Sequence, residues 1–365
     1  MKPRILWGVV LLLILSIFIF YLNCTKSSTR YEPPIDNLLY ASDMGDSPSK
    51  KIYVFSTLTD SLVDSISLGP DLYATALGLS PDRKTLYARC ERVLSDTSRQ
   101  YLGCEIDTRT KSLKYVGPNS FPVVSPDGNY LFGELSNKFA IFDAHTHQIV
   151  YHDSTTAFYP FCFDRKAHLA YGINGDPRGM HAFNYESMRW DRSIMLLFSD
   201  GTPLAGGPAV LSPDSKILYF IGSTIYLQPY FCVYDLVHDS LLIQLAINSV
   251  GQLGLKPDGG AVYITDPGGM AGACIFWDPP PSGFLGVFDT KTNTSLSSIS
   301  LAPFADSLHP GTQGAYYIKI TSDGKKTYLS YCQERILVMD LVNNGALKSI
   351  IVPSSTAVML HFIAL

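Results

Sequence analysis

The sequence predicts an all-β fold, a seven-bladed β-propeller with four antiparallel strands per blade, and three observations carry that expectation. The first is a repeat. Ser80-Pro81-Asp82-Arg83-Lys84-Thr85-Leu86-Tyr87 returns as Ser125-Pro126-Asp127-Gly128-Asn129-Tyr130-Leu131-Phe132, as Ser212-Pro213-Asp214-Ser215-Lys216-Ile217-Leu218-Tyr219 and as Lys256-Pro257-Asp258-Gly259-Gly260-Ala261-Val262-Tyr263, with weaker copies at Asp164 to Leu169 and Ser322 to Tyr328. Self-similarity at such spacing marks an array of small units that cannot bury their faces alone. The second is composition: 46% hydrophobic against 16% charged residues supplies a large core, and 28 Gly, 23 Pro and 22 Tyr suit short strands between tight turns. Past the N-terminus no stretch sustains the i, i+3, i+4, i+7 apolar spacing of a helix. The third is the termini. The first unit, from Leu38, lacks an inner strand, while the chain finishes in an orphan apolar run, Ala357 to Leu365. That run reads as the missing inner strand of blade one, closing the ring and removing the open edges of a linear array.

One unit shows how the elements follow from the residues. Leu253-Gly254-Leu255 is an inner strand, Lys256 to Gly260 a turn, Ala261 to Thr265 a second strand, Leu285 to Asp289 a third, Thr290 to Thr294 a second turn and Ser295 to Leu301 a fourth strand. Pro presets the second turn position, Asp bonds the backbone two residues on, and Gly takes positive φ, so Pro-Asp-Gly between apolar runs makes a turn. The third strand recurs at Ile52 to Ser56, Phe139 to Asp143, Phe231 to Asp235 and Ile336 to Asp340. Units begin near residues 38, 79, 124, 163, 211, 255 and 320. Seven lies inside the four-to-eight range of propellers.

Residues 1–24 are of a different kind. Lys2 and Arg4 precede an uncharged run from Ile5 to Leu22, then Asn23-Cys24 and a polar stretch. This reads as an export signal or membrane anchor, with 25–36 a polar tether and 37–365 the propeller. Leu22 two residues before Cys24 resembles a bacterial lipoprotein signal whose cysteine is lipidated; an uncleaved anchor is the alternative. Either way the propeller lies outside, membrane-tethered, periplasmic or on the cell surface. Without residues 1–23, which hold two cations and no acid, the formal net charge moves from -4 to about -6. Nucleic-acid binders are normally basic, so neither DNA nor RNA is an expected partner. Beyond Cys24 six cysteines remain, in no zinc or haem spacing. Cys90 and Cys104 fall on neighbouring strands of one unit and are the candidate disulfide; free cysteines acting as small apolar residues are the alternative.

The order Ser-Pro-Asp-Gly turn, Leu-Tyr strand, Val-Phe-Asp strand, Thr-Lys-Thr turn resembles the bacterial YVTN/YncE-like seven-bladed propellers over about residues 37–365, and more distantly the β-chain of quinoprotein amine dehydrogenases. Val262-Tyr263-Ile264-Thr265-Asp266 and Ala170-Tyr171-Gly172-Ile173-Asn174 are the copies nearest the naming tetrapeptide. The resemblance implies an exported binding or scaffold protein.

In such a ring the loops between second and third strands, and from the fourth strand to the next blade, open on one face, where the variable material of this chain falls. The largest insertion runs from Asp266 to Gly283. Expected ligand- or partner-binding residues on this face are Phe276, Trp277, Asp278, His309, Tyr230, Arg178, Tyr159 and Arg92, because rings and guanidinium groups bury contact area at low entropic cost. The alternative is that these rings pack the loops onto the rim. Gly-x-Ser-x-Gly, Walker and His-Glu-x-x-His motifs do not occur, nor does a Cys-x-x-Cys-His haem site. No catalytic residue, metal or cofactor is therefore predicted. His145 and His147 lie on a turn expected to be solvated. The leading expectation is a non-catalytic ligand- or protein-binding module. The alternative is a metal-dependent hydrolase or lactonase whose ligands converge from several blades at the channel mouth.

Overall fold

Serine and aspartate side chains close the turns on which the ring is built. The computed structural model describes residues 37–44, 50–95, 98–118, 120–174, 179–195, 197, 203–223, 228–247, 251–266, 283–301, 315–331, 335–352 and 359–364. In the first turn Ser80 Oγ donates to Asp82 Oδ1 at 2.7 Å and accepts from Thr85 N at 3.0 Å, while Lys84 N donates to the same Asp82 oxygen at 3.1 Å. Ser125 with Asp127, Ser212 with Asp214 and Thr321 with Asp323 repeat the arrangement. The residue after each aspartate takes positive φ: Arg83, Gly128, Ser215, Gly259 and Gly324. A second turn recurs between third and fourth strands. Asp107 Oδ1 accepts from Arg109 N and Thr110 N at 2.9 and 2.8 Å, and Asp143, Asp235, Asp289 and Asp340 do likewise. Aspartate competes with the ladder for backbone donors, which is why it stops each strand at this point.

These turns join 28 strands into seven four-stranded antiparallel sheets. Blade one holds β1 (Leu38–Met44), β2 (Lys51–Ser56) and β3 (Ser61–Ser67). Blade two holds β4 (Leu72–Leu79), β5 (Thr85–Ser95), β6 (Ser98–Asp107) and β7 (Leu113–Gly117), and blade three β8 (Ser120–Val124), β9 (Tyr130–Leu135), β10 (Lys138–Asp143) and β11 (Ile149–His152). Blade four holds β12 (Phe158–Asp164), β13 (Leu169–Asn174), β14 (Met180–Asn184) and β15 (Arg189–Ile194), and blade five β16 (Ala209–Leu211), β17 (Ile217–Ser223), β18 (Pro229–Asp235) and β19 (Ser240–Ala246). Blade six holds β20 (Leu253–Leu255), β21 (Ala261–Thr265), β22 (Phe284–Asp289) and β23 (Thr294–Ser300), and blade seven β24 (Ala315–Ile320), β25 (Lys326–Tyr331), β26 (Arg335–Asp340) and β27 (Gly345–Ile351). The last strand, β28 (Met359–Ala364), pairs with β1 from Leu39↔Ala364 to Met44↔Met359, so the order of blade one is β28-β1-β2-β3.

Each pairing of third with fourth strand carries a register shift, from Val54/Phe55 in blade one to Val338/Met339 in blade seven. An extra residue there increases local twist, as the outer part of a blade requires. The core fills the seams between blades. Phe132, Phe139, Phe158, Phe183 and Tyr185 are buried between blades three and four, with Phe139 edge-on to Phe183 at 5.1 Å and 89°. On the turn side Asp60 ties blade one to blade seven, accepting from Lys326 Nζ at 2.7 Å and Tyr328 Oη at 2.5 Å.

One expectation changes, and another can be placed on the strands. Cys90 and Cys104 are both buried and both free. Cys90 faces Leu102 and Cys104 faces Ala88, so the thiols are diagonal neighbours. The Cys104 thiol bonds to that of Cys90 and, together with burial, raises it. His147 is not solvated: its ring stacks on Tyr115 at 4.2 Å and Nε2 lies 3.1 Å from Glu105 Oε2, joining blade three to blade two.

Candidate functional site

β5 and β6, at 11 and 10 residues, are the two longest strands among the described residues, and they run on toward their hairpin at the loop-rich face. Alternation decides what they present there. Leu86, Ala88 and Cys90 enter the core shared with blade one, so Tyr87, Arg89 and Glu91 turn the other way, toward blade three. Register sets Tyr73 and Tyr101 against Glu91, and Gly103 against Arg89.

The result is a polar cluster drawn from three successive blades. Arg89 lies over the Tyr101 ring, 4.3 Å from its centroid, and its Nη2 is 3.8 Å from Glu134 Oε2 of β9. Tyr159, at the start of β12, donates to Glu134; burial first, and then that bond, push its hydroxyl up to about 12. Glu91 is 4% exposed, with Arg99 Nη1 at 2.8 Å and a bond from the Tyr73 hydroxyl. Burial, followed by the Glu91 charge, raises Tyr73 as well. Arg89 Nε is buried with no hydrogen-bond partner among the described residues. Guanidinium groups in this state keep donors in reserve, and one backed by an aromatic face is already oriented. Chemically, the cluster is equipped to hold a polar group with acceptor oxygens.

Of the expected residues, Tyr159 belongs to this cluster. Arg92 is on the opposite side of β5, facing blade one and opposite Leu72. Tyr230 is half-buried against the core of blades four and five and takes no part. Phe276, Trp277, Asp278, His309, Arg178 and Cys24 lie outside the described residues. Arg89, Glu91 and Glu134 were not anticipated. Their signal was faint: Arg89 and Glu91 are charges inside an apolar strand run, and Glu134 is the last residue but one of another.

A second feature lies on blades five and six, at the base of the 266–283 insertion. A cavity of about 500 Å³ is lined by Phe231, Leu245, Ile264, Phe284 and Phe288, with Thr265 and Asp266 as its polar side. Among the described residues no group of three or more His, Cys, Asp or Glu is placed to hold a metal ion, and no helix is long and apolar enough to cross a membrane.

Seven four-stranded antiparallel sheets arranged in a ring make this chain a seven-bladed β-propeller. Its fold is similar to a Bacteroides uniformis protein described as a candidate 6-phosphogluconolactonase, at TM-score 0.63 and 14% identity over 90% of this chain and 100% of that one. It is also similar to Kuenenia stuttgartiensis hydrazine synthase, at 0.58 and 16% over 76% and 86%, and to the dihydro-heme d1 dehydrogenase NirN, at 0.53 and 15% over 92% and 78%. These likenesses concern the fold alone, and the three proteins carry different activities on it. No family model and no curated protein matches the chain.

Proposed function

We propose that the chain is an exported, membrane-tethered propeller of the YVTN/YncE kind that binds a ligand or a protein partner on its loop-rich face without catalysing a reaction. The observation that carries this reading is the convergence of Arg89, Glu134 and Tyr159 from three blades at that face, with a guanidinium braced on Tyr101 and donors unspent. A cluster that rigid strands hold in place pays little ordering entropy when a partner arrives. The N-terminal 24 residues support the tether, with Cys24 as the lipidation site or the apolar run as anchor.

Metal content tests the reading. Residues 25–365, purified without chelator, are expected to contain no stoichiometric metal by mass spectrometry and to melt at the same temperature with calcium, zinc or EDTA. A bound metal whose removal lowers the melting temperature would replace the binding module with a metal-dependent hydrolase.

A further inference from the structure

The outermost strand of every blade leaves one row of backbone N–H and C=O groups without a strand partner, and proteins guard such edges with charge, proline or brevity. Most edges here are guarded. Asp64 stands in β3, Lys114 in β7, Arg189, Asp191 and Arg192 in β15 and Lys348 in β27; β11 has only 4 residues, and β23 is mainly serine and threonine. β19 differs. Its seven residues, Ser-Leu-Leu-Ile-Gln-Leu-Ala, like those of β23 hold neither charge nor proline, but they are mainly apolar where those of β23 mainly carry hydroxyls. Among the described residues its backbone bonds only to β18. Leu242 and Leu245 are exposed, as is Val237 in the preceding turn, and Gln244 Nε2 is buried without a hydrogen-bond partner among the described residues.

The cavity between blades five and six opens beside the same strand, with Leu245, Ala246 and Ile247 forming one wall. About 500 Å³ bounded by Phe231, Phe284 and Phe288 is room for one large apolar side chain. An unpaired ladder and an adjoining side-chain pocket are the two parts of recognition by strand addition, in which main-chain bonds give affinity and pockets give specificity.

We infer that β19 is a docking edge for an extended, uncharged, apolar segment of a partner protein, which adds a fifth strand to blade five and seats a bulky side chain in the cavity. The neutral edge has nothing to pair with a charged segment and would desolvate its charges at a loss. Size argues against a second copy of the chain: the exposed apolar side chains amount to a few hundred Å² at most, short of the roughly 800 Å² per partner that stable complexes bury. A short strand does not need that area, since its backbone finds partners along the whole edge. This surface is distinct from the Arg89 cluster, so the two inferences stand or fall separately.

The test uses residues 25–365, which contain the whole closed ring, against a displayed library of random nine-residue peptides. Leu242→Lys and Leu245→Glu serve as counter-targets; both positions are exposed, and an unchanged melt confirms each fold. Enriched peptides are expected to alternate apolar with polar residues, to lack internal proline, and to bind the wild type at least tenfold more tightly than either variant. N-methylation of one peptide amide on the pairing side is expected to cost a further tenfold or more. Peptides that bind both variants as well as the wild type, that tolerate proline or N-methylation, or that never enrich over the Leu242→Lys protein would overturn the assignment. So would a concentration-dependent dimer in sedimentation that Leu242→Lys abolishes, which would give the edge to a second copy.

Discussion

Glu91 shows how one side chain can be both a liability and a constraint. Its carboxylate is nearly fully buried and is held by Arg99, itself well exposed, and by Tyr73. Removing one partner of a buried pair leaves a charge without compensation. Arg99→Ala is therefore expected to lower the melting temperature, and Glu91→Gln in the same chain to restore part of the loss; a thermal-shift series of both singles and the double checks it. Asp60 is the second such residue. Asp60→Ala deprives Lys326 and Tyr328 of their acceptor across the blade-seven junction and should destabilise by about 2–4 kcal/mol in chemical denaturation, with Asp60→Asn losing less. At this scale the sequence was half legible. Tyr159 stood out as a ring near a loop, whereas Arg89, Glu91 and Glu134 were hidden inside strand runs, where only strand register tells which neighbours a charge meets.

Turns are the elements that the sequence wrote most openly, because each is closed by its own residues. Their chemistry can be tested one glycine at a time. Gly128 has φ +78 and a Cβ built on it would come 3.2 Å from Pro81 of the preceding turn, whereas nothing lies within 4 Å at Gly345. Gly128→Ala is expected to cost about 1–2 kcal/mol and Gly345→Ala nothing or to stabilise slightly, measured by denaturant midpoint. The turn aspartates also set the acid limit. A backbone bond from Thr110, and then Lys114, hold Asp107 down to about 2; bonds from Ser80 to Asp82, from Thr146 N to Asp143 and from Thr321 to Asp323 act in the same direction. A carboxyl whose folded value lies below its unfolded value of about 3.9 contributes stability that is complete above that value and is lost as pH falls through the folded one. The melting temperature should therefore fall between about pH 5 and pH 2, and less steeply in Asp107→Asn. Strand length was not legible in the same way. Nothing in β5 and β6 alone says that their ladder continues to Ser95↔Ser98. The diagonal placement of Cys90 and Cys104 depends on that register too.

At the scale of the whole molecule the number of blades and the closure were readable from repeats and from an orphan strand at the chain's end. The expected run from Ala357 to Leu365 became Met359–Ala364 paired to β1, because an apolar run with no local partner has only a distant one to find. The candidate site was less readable, since it depends on which blade ends meet. Deleting residues 353–365 is expected to leave β1 with one free edge and to abolish the single cooperative melt, and limited proteolysis should then cut in blade one first.

That clasp also has a consequence in time. β1 leaves the ribosome before the other strands of the ring and β28 after them, so blade one cannot be completed until the other six have been made, whatever those have done by then. A contact of such long sequence separation is slow to find. The nascent chain must carry an unfinished sheet while the rest of the ring is made, a window in which a chaperone has reason to attend to it and a truncated product has no means of hiding.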